Sequence, residues 1–201
     1  MSRVVDIADA VSMPLFPLNT VLFPDGPLPL RIFETRYTDM VRRCMRERSS
    51  FGVLLIRAGA EVGAVASTAE IGTSARIVDF YQLPDGLLGI TCVGERKFRV
   101  LERTRAADGL NLGRIEWLPR ETEMRLPTEH EHLGQLLRKL LPELSELYQA
   151  TPKRFDDAGW VSCRLAEILP LELSDKQALL ELDDGLVRLG RVAPLIRRAE
   201  D

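Results

Sequence analysis

The spacing of apolar residues divides the chain into a part rich in short strands and a part rich in helices. Between residues 12 and 118, apolar and polar positions alternate over short stretches that turn sequences such as Pro84-Asp85-Gly86 separate. After Leu118, apolar residues recur every three or four positions, which predicts amphipathic helices. These patterns predict an α+β protein in which an antiparallel β-rich part precedes a helical part.

The β-rich part begins with a run in which prolines interrupt strand-forming residues. Five prolines lie between Pro14 and Tyr37, and because proline lacks an N–H, they predict strand ends, edges and tight bends. Pro24-Asp25-Gly26-Pro27 is the clearest turn. Further strands are predicted over residues 52–57, 76–83, 87–93, 97–105 and 110–118. Many short strands joined by turns predict a curled antiparallel sheet or a small barrel.

Helical spacing predicts one helix inside the β-rich part, over residues 35–48. Its apolar residues form one stripe, and Thr35 is the expected N-cap. The opposite face carries Arg42, Arg43, Arg46 and Arg48. This face could meet nucleic acid, but acidic residues lie among the arginines and no aromatic residue is interleaved for base stacking. A solvated helix face is therefore the favoured interpretation.

Four further helices are predicted in the helical part. Capping-box spacings mark the starts of two of them, Thr128 with Glu131 and Ser174 with Gln177. Pro142 is expected to kink or end the first, because proline removes a backbone hydrogen bond. The other two are expected over residues 157–169 and 184–199. Their leucine-rich faces must form a bundle or pack on the β-rich part.

Composition and charge are those of an ordinary globular protein. The 201 residues carry a net charge of −3, which argues against a protein built to neutralise a phosphate backbone. The three cysteines are far apart and form no Cys-x-x-Cys pair, which argues against a common zinc site. An odd cysteine count, no apolar signal core and no membrane-length apolar run predict a cytoplasmic protein. Residues 1–11 are expected to form a flexible tail.

The residues that usually carry catalysis or metal binding are sparse. His130 and His132 are the only histidines, and two positions apart on a helix they face different directions, which favours a solvated helix start. No serine or cysteine motif indicates a nucleophile. Asp183-Asp184-Gly185 lacks the spaced oxygen ligands of a calcium loop, so a helix break followed by a cap is the favoured interpretation. We therefore expect no enzyme, no cofactor and no metal, with an uncharacterised hydrolase as the least favoured alternative.

The run PLFPLNTVLFPDGPLPLRIFETRY, which starts at Pro14, resembles the N-terminal substrate-binding domain of the Lon family of ATP-dependent proteases. The family pattern is roughly P-L-F-P-L, V-L-F-P-G and P-L-R-I-F-E-x-R-Y, and the matching segments here begin at Pro14, Val21 and Pro29. The resemblance continues through residues 51–56, 71–86, 93–100 and 175–181. It implies a β pseudo-barrel similar to PUA-type domains over residues 12–119, with a helical subdomain over residues 120–201 packed on or beside it.

Lon proteases also carry an ATPase module and a protease module. This sequence has no G-x-x-x-x-G-K-[ST] phosphate loop and no counterpart of the protease Ser–Lys dyad, and it is too short for three modules. The resemblance therefore implies a free-standing form of the recognition domain.

The working hypothesis is a non-enzymatic module that binds unfolded or extended polypeptide, since the Lon domain helps to select substrates. The peptide would join a sheet edge, or its apolar side chains would enter a groove between the β-rich part and the helices. The candidate contact residues are Arg31, Phe33, Glu34, Arg36 and Tyr37. The alternative for the three charged residues is that their hydrogen bonds close the strand-to-helix corner.

Two other functions stay open at this point. PUA-like folds include RNA binders, although analogy of fold is a poor guide to function. The helical part could also dock on a larger proteolytic machine as an adaptor.

Overall fold

Seven strands form one sheet within the residues that the computed structural model describes, 11–59, 65–144 and 146–200. The predicted tail lies outside these residues, except for Val11. The strands are β1 (Val11–Leu18), β2 (Pro27–Ile32), β3 (Phe51–Gly59), β4 (Val65–Thr68), β5 (Ile71–Gln82), β6 (Leu88–Arg105) and β7 (Asn111–Trp117). With the helices described below, they confirm the α+β class.

The strand pairings run β1-β7-β6-β5-β3 and return to β1. The first half of β1 pairs antiparallel with β7, and the second half pairs parallel with β3. Pro14 lies opposite Leu112 of β7, whereas Pro17 lies opposite Leu54 of β3. Each proline therefore has a partner on one side only, which is where a strand tolerates a residue without an N–H. Outside this ring, β2 pairs with β6 and β4 pairs with β3.

The prediction of separate strands over residues 87–93 and 97–105 is wrong, because both belong to the 18-residue strand β6. Gly94 lies in the middle of this strand and hydrogen bonds through its N–H to Gly26 O at 2.9 Å and through its carbonyl to Asp25 N at 2.8 Å. A Cβ at Gly94 would lie 2.3 Å from Phe23 O. The glycine thus allows the Pro24 turn to lie against β6, and it does not interrupt the strand.

Both hairpin turns predicted in the β-rich part are present. Gly86 in the β5–β6 turn and Gly109 in the β6–β7 turn each have a φ of +84°, which favours glycine. Asp85 and Asp108 accept hydrogen bonds from the backbone N–H groups two residues later, as aspartates in turns commonly do.

The described residues contain five α-helices, close to the predicted positions. They are α1 (Thr35–Glu47), α2 (Glu131–Leu144), α3 (Ala158–Ile168), α4 (Leu173–Leu180) and α5 (Gly185–Glu200). Pro142 lies inside α2, which ends two residues later, as predicted. In the described part of the chain, no helix has the length and apolar character needed to cross a bilayer.

Three predicted N-caps are wrong. The N-cap of α1 is Glu34 instead of Thr35, and its side chain makes no capping hydrogen bond. Thr128 begins a 3₁₀ turn before α2, so its capping box does not form. Ser174 lies inside α4, and its expected partner Gln177 is buried and donates to Ile71 O instead. In the last case a contact with the β-rich part replaces the local capping contact.

Two aspartates cap helices in the helical part. The Asp157 carboxylate accepts a 2.6 Å hydrogen bond from Trp160 N at the start of α3. Asp184 accepts from Leu186 N and Val187 N at the start of α5. The interpretation of Asp183-Asp184-Gly185 as a helix break followed by a cap is therefore confirmed.

The helices share their hydrophobic core with the strands. The core that α2, α3, α4 and α5 form also contains Val21, Phe23, Leu55 and Ala69 of the β-rich part. A second core lies between α1 and the sheet, and it includes Phe16, Tyr37 and Cys92. The two sequence halves are thus joined by buried apolar side chains.

Candidate functional site

An open groove, here called the β2 groove, lies beside β2 and has a volume of about 480 Å³. The end of β1, β2 itself and the start of α1 form its walls. Alternation along β2 buries Leu28 and Ile32 against the α1 core, whereas Leu30 is half-buried. Phe33 follows β2 and is 55% exposed. The apolar lining is Phe16, Leu18, Leu28, Leu30, Ile32, Phe33 and Tyr37.

Four of the five predicted contact residues line this groove, but with different accessibility. Tyr37 is buried, and its ring stacks on Phe16 with the ring centroids 3.9 Å apart. Phe33 projects as an exposed aromatic side chain, and Arg31 and Glu34 are also part of the lining. Tyr37 therefore forms the floor of the β2 groove, and Phe33 is the residue most available to a ligand.

Arg36 is not part of the groove lining. It is buried, and its Nη1 donates to Gly109 O at 3.1 Å, while Nη2 lies 2.8 Å from the Glu34 carboxylate. It therefore ties the start of α1 to the β6–β7 turn. For Arg36 and Glu34, these contacts match the alternative in which charged groups close the strand-to-helix corner.

Arg31 connects the β2 groove to a second groove on the other side of β2. Its guanidinium pairs with Asp85 in the β5–β6 turn, and both side chains are largely exposed. Pro29, Leu30 and Arg31 line both grooves, and Tyr81 lines the second. Apolar surface therefore continues around β2 from one groove to the other.

One cleft between the β-rich part and the helices is charged, whereas an apolar groove was one of the expectations for this boundary. Asp25, Arg96, Arg120, Glu123 and Arg154 all line it. Arg154 pairs with Asp25 and also lies 3.0 Å from Glu123. A second groove at this boundary, between β3 and α4, has Leu55, Ile56 and Leu173 in its lining.

Beneath the charged cleft lies an ionic cluster, largely buried except for Asp183, that the sequence analysis did not predict. It comprises Lys97 of β6, Glu121 of the segment after β7, and Asp183 and Arg188 near the start of α5. The available signal was Arg188 itself, because it is spaced on the apolar stripe that contains Leu189 and Val192. A charge at such a position indicates a buried partner.

The buried cysteines are held in the protonated thiol form. Burial raises the pKa of the Cys92 thiol to about 12 and also raises the pKa of Cys163. Thiols with raised pKa values are poor nucleophiles, because the thiolate is the reactive form. No group of three or more His, Cys, Asp or Glu side chains in the described part could hold a metal ion.

Comparison with known proteins places the whole arrangement in one family. A crystal structure of a Lon N-terminal domain protein from Xanthomonas campestris is 38% identical, covers 92% of this chain and 98% of that one, and has a TM-score of 0.75. The N-terminal domain of the Mycobacterium avium complex Lon protease shares the fold, with a TM-score of 0.62 at 16% identity, over 90% of this chain and 96% of that one.

A full-length relative shows how much of such a protein this chain spans. Lon protease 2 of Myxococcus xanthus is 28% identical over 198 residues, which are 94% of this chain and 24% of that protein. The chain thus spans about a quarter of the length of this curated relative. The model of the ATP-dependent protease La (LON) substrate-binding domain matches residues 12–198. The chain therefore belongs to the LON substrate-binding domain family.

Proposed function

We propose that this protein is a non-catalytic module that recognises unfolded or extended polypeptide through the β2 groove. The observation that carries this proposal is an exposed aromatic side chain, Phe33, on the rim of an apolar groove in a domain of the LON substrate-binding family. Large apolar side chains that remain exposed beside a groove are typical of a protein interaction site.

Insertion of ligand side chains into the groove is favoured over addition of a strand at β2. Within the described residues β2 pairs only with β6, so its other edge has no strand partner. However, Pro27 and Pro29 lie in this strand and remove two of its six backbone N–H groups. An edge that lacks donors is a poor template for an added strand. The affinity should therefore come mainly from apolar contacts.

The outer face of α1 gives limited support to the RNA-binding alternative. Two of its four arginines have acidic partners on the same helix, Arg42 with Asp39 at 3.1 Å and Arg46 with Glu47 at 3.2 Å. Each of these ion pairs reduces the positive charge that the face offers to phosphate groups.

We also infer that the ring of strand pairings is the pseudo-barrel expected from the resemblance, and that residues 120–201 form the helical subdomain. The return of the pairing order to β1 supports the first inference. The concentration of α2 to α5 in one core supports the second.

Fluorescence anisotropy with a reduced and alkylated, permanently unfolded protein as the probe tests the proposed function. We expect a Kd in the micromolar range, and we expect Phe33→Ala to weaken binding by about tenfold, because loss of a well-buried aromatic contact costs about 1–2 kcal/mol. Phe33 is exposed in the free protein, so stability should change little.

Phe80→Ala is the matched control. Phe80 is 59% exposed, which is close to the 55% of Phe33. It lies on β5, outside the lining of the β2 groove. Equal losses of affinity in both variants, or no loss in Phe33→Ala, would contradict binding at this groove. Salt-sensitive binding of structured RNA with no binding of the unfolded protein would favour the RNA-binding alternative.

A further inference from the structure

The ionic cluster places two buried cations against one carboxylate. Lys97 is 4% exposed and Arg188 is completely buried. Lys97 Nζ donates to Glu121 Oε1 at 3.1 Å, and Arg188 Nη1 donates to the same oxygen at 2.8 Å. Arg188 Nη2 donates to the other oxygen, Oε2. Arg188 thus holds both oxygens of the carboxylate, the geometry that guanidinium groups favour for this anion.

The other partners of these cations do not replace Glu121. Lys97 Nζ also donates to Leu182 O at 2.6 Å, and Arg188 Nε donates to Ser162 Oγ at 3.1 Å, but both acceptors are uncharged. Asp183 lies 3.0 Å from Lys97, but its side chain is 74% exposed and its charge is largely screened by solvent. Glu121 is therefore the main compensation for two desolvated positive charges.

Glu121 also anchors a segment that is otherwise weakly attached. In residues 119–123, here called the strap, every residue except Glu121 is exposed. The described structure contains no backbone–backbone hydrogen bond from any strap residue. The second charged contact of the strap, Glu123 with Arg154, is mostly exposed to solvent. The Glu121 carboxylate is thus the principal attachment of the strap.

The strap forms one side of the charged cleft. Arg120, Glu121 and Glu123 line this cleft together with Cys163 of α3, whose side chain is buried. Loss of the Glu121 contact would free the strap on this side of the cleft, and solvent could then reach Cys163.

We propose that Lys97 and Arg188 form a carboxylate-binding site that the protein fills with its own Glu121, and that this contact is the latch that holds the strap in place and keeps Cys163 buried. The ligand class is a small carboxylate, since the site supplies a bidentate guanidinium and an ammonium donor. The proposal rests on the ionic cluster alone and does not depend on the β2 groove.

The Glu121→Ala variant in the presence and absence of acetate tests the binding site. Because the variant leaves two buried cations without their carboxylate, we expect its Tm to fall by roughly 10 °C. Acetate at tens of millimolar should bind in the vacated site and recover at least about half of this loss, with saturation. Chloride at the same ionic strength should recover much less, because it cannot form the bidentate contact.

Alkylation by iodoacetamide, followed by peptide mass spectrometry, tests the latch. Cys44 and Cys92 lie in the other core and serve as internal reporters of global unfolding, since all three cysteines are free and buried. In Glu121→Ala we expect Cys163 to react at least about tenfold faster than in the original protein, while Cys44 and Cys92 change little. Acetate should slow the reaction of Cys163 again.

Two further variants complete the experiment. Glu123→Ala removes the exposed strap carboxylate and should leave both Tm and Cys163 labelling nearly unchanged. Glu121→Gln keeps the shape of the side chain, so acetate should not protect Cys163 in this variant because the amide still occupies the site. Parallel acceleration of all three thiols in Glu121→Ala, or equal recovery by acetate and chloride, would overturn the proposal.

Discussion

Two glycines illustrate how a single Cβ atom has opposite effects at different places in this fold. A Cβ at Gly94 would lie 2.3 Å from Phe23 O, whereas a Cβ at Gly190 of α5 would have no neighbour within 4 Å. We expect Gly94→Ala to lower the free energy of unfolding by about 2–4 kcal/mol, because strand and turn must move apart. Gly190→Ala should raise it by about 0.5–1 kcal/mol, because alanine is the better helix former.

Urea unfolding of both variants measures these changes. If both alanine variants changed the free energy of unfolding by a similar amount, the close approach of the Pro24 turn to β6 would not be the reason that Gly94 must be glycine.

Because the Cys92 thiol is buried, we expect the protein to lose stability in alkaline solution. Burial raises its pKa from 9.0 to about 12, so the native state holds this proton more tightly than the unfolded state does. The resulting stability is present below the unfolded pKa and is lost as pH rises toward the folded pKa. Between about pH 9 and pH 11, this thiol should lower the free energy of unfolding by about 1.4 kcal/mol per pH unit.

Cys92→Ala isolates this contribution. Urea unfolding at several pH values should give the variant a shallower decline in this range, while Cys163, which lies in the other core, contributes equally to both proteins. Identical slopes for the two proteins would show that the thiol is not held neutral in the native state.

At the scale of single elements, one helix cap that forms can be compared with a predicted cap that does not form. Asp184 accepts two backbone hydrogen bonds at the start of α5, so Asp184→Ala should lower the free energy of unfolding by about 1 kcal/mol. Ser174 makes no capping bond in α4, and it is exposed, so Ser174→Ala should change stability by less than about 0.5 kcal/mol. Thermal unfolding measures the stability of the two variants. An equal loss of stability in both would indicate that Ser174 does cap α4 as predicted.

Most elements could be predicted from the sequence because their apolar spacing reflects the face that they bury. The stripe in α1 and the alternation around Gly86 belong to this group. Features that depend on distant residues were not predictable. The continuity of β6 at Gly94 depends on Phe23, and the role of Gln177 depends on Ile71, over 100 residues earlier in the chain.

Some features of the candidate site could likewise be predicted from local sequence, whereas others depend on distant residues. Arg31, Phe33 and Glu34 lie near one another in sequence at a strand-to-helix corner, so their grouping could be anticipated. The burial of Tyr37 under Phe16 and the contact of Arg36 with Gly109 depend on residues that are distant in sequence. The ionic cluster joins Lys97, Glu121 and Arg188, which no local pattern brings together.

At the scale of the whole molecule, the shared core predicts that neither sequence half folds alone. Phe23 is fully buried among the residues of the helical core, and Val21 and Leu55 join it there. A fragment of residues 120–201 would expose that core, so we expect no cooperative thermal transition and weak near-ultraviolet circular dichroism. The full chain should unfold in one transition with the same midpoint by fluorescence and by circular dichroism.

Phe23→Ala provides a version of this test in the intact chain. It should lower the free energy of unfolding by about 3–5 kcal/mol and destabilise strands and helices together. An independently folding fragment, or two separate transitions in the full chain, would contradict this coupling.

The pairing of β1 with β7 has a consequence for biosynthesis. It places Val11 opposite Ile115, so the first described strand of this sheet must wait for the synthesis of the last one, β7, before it can pair on that side. Closing so long a loop lowers the conformational entropy of the chain before any stabilising contact forms, which makes such a step slow. A nascent chain stalled before β7 would therefore display an unsatisfied, apolar strand to the chaperones that attend translation.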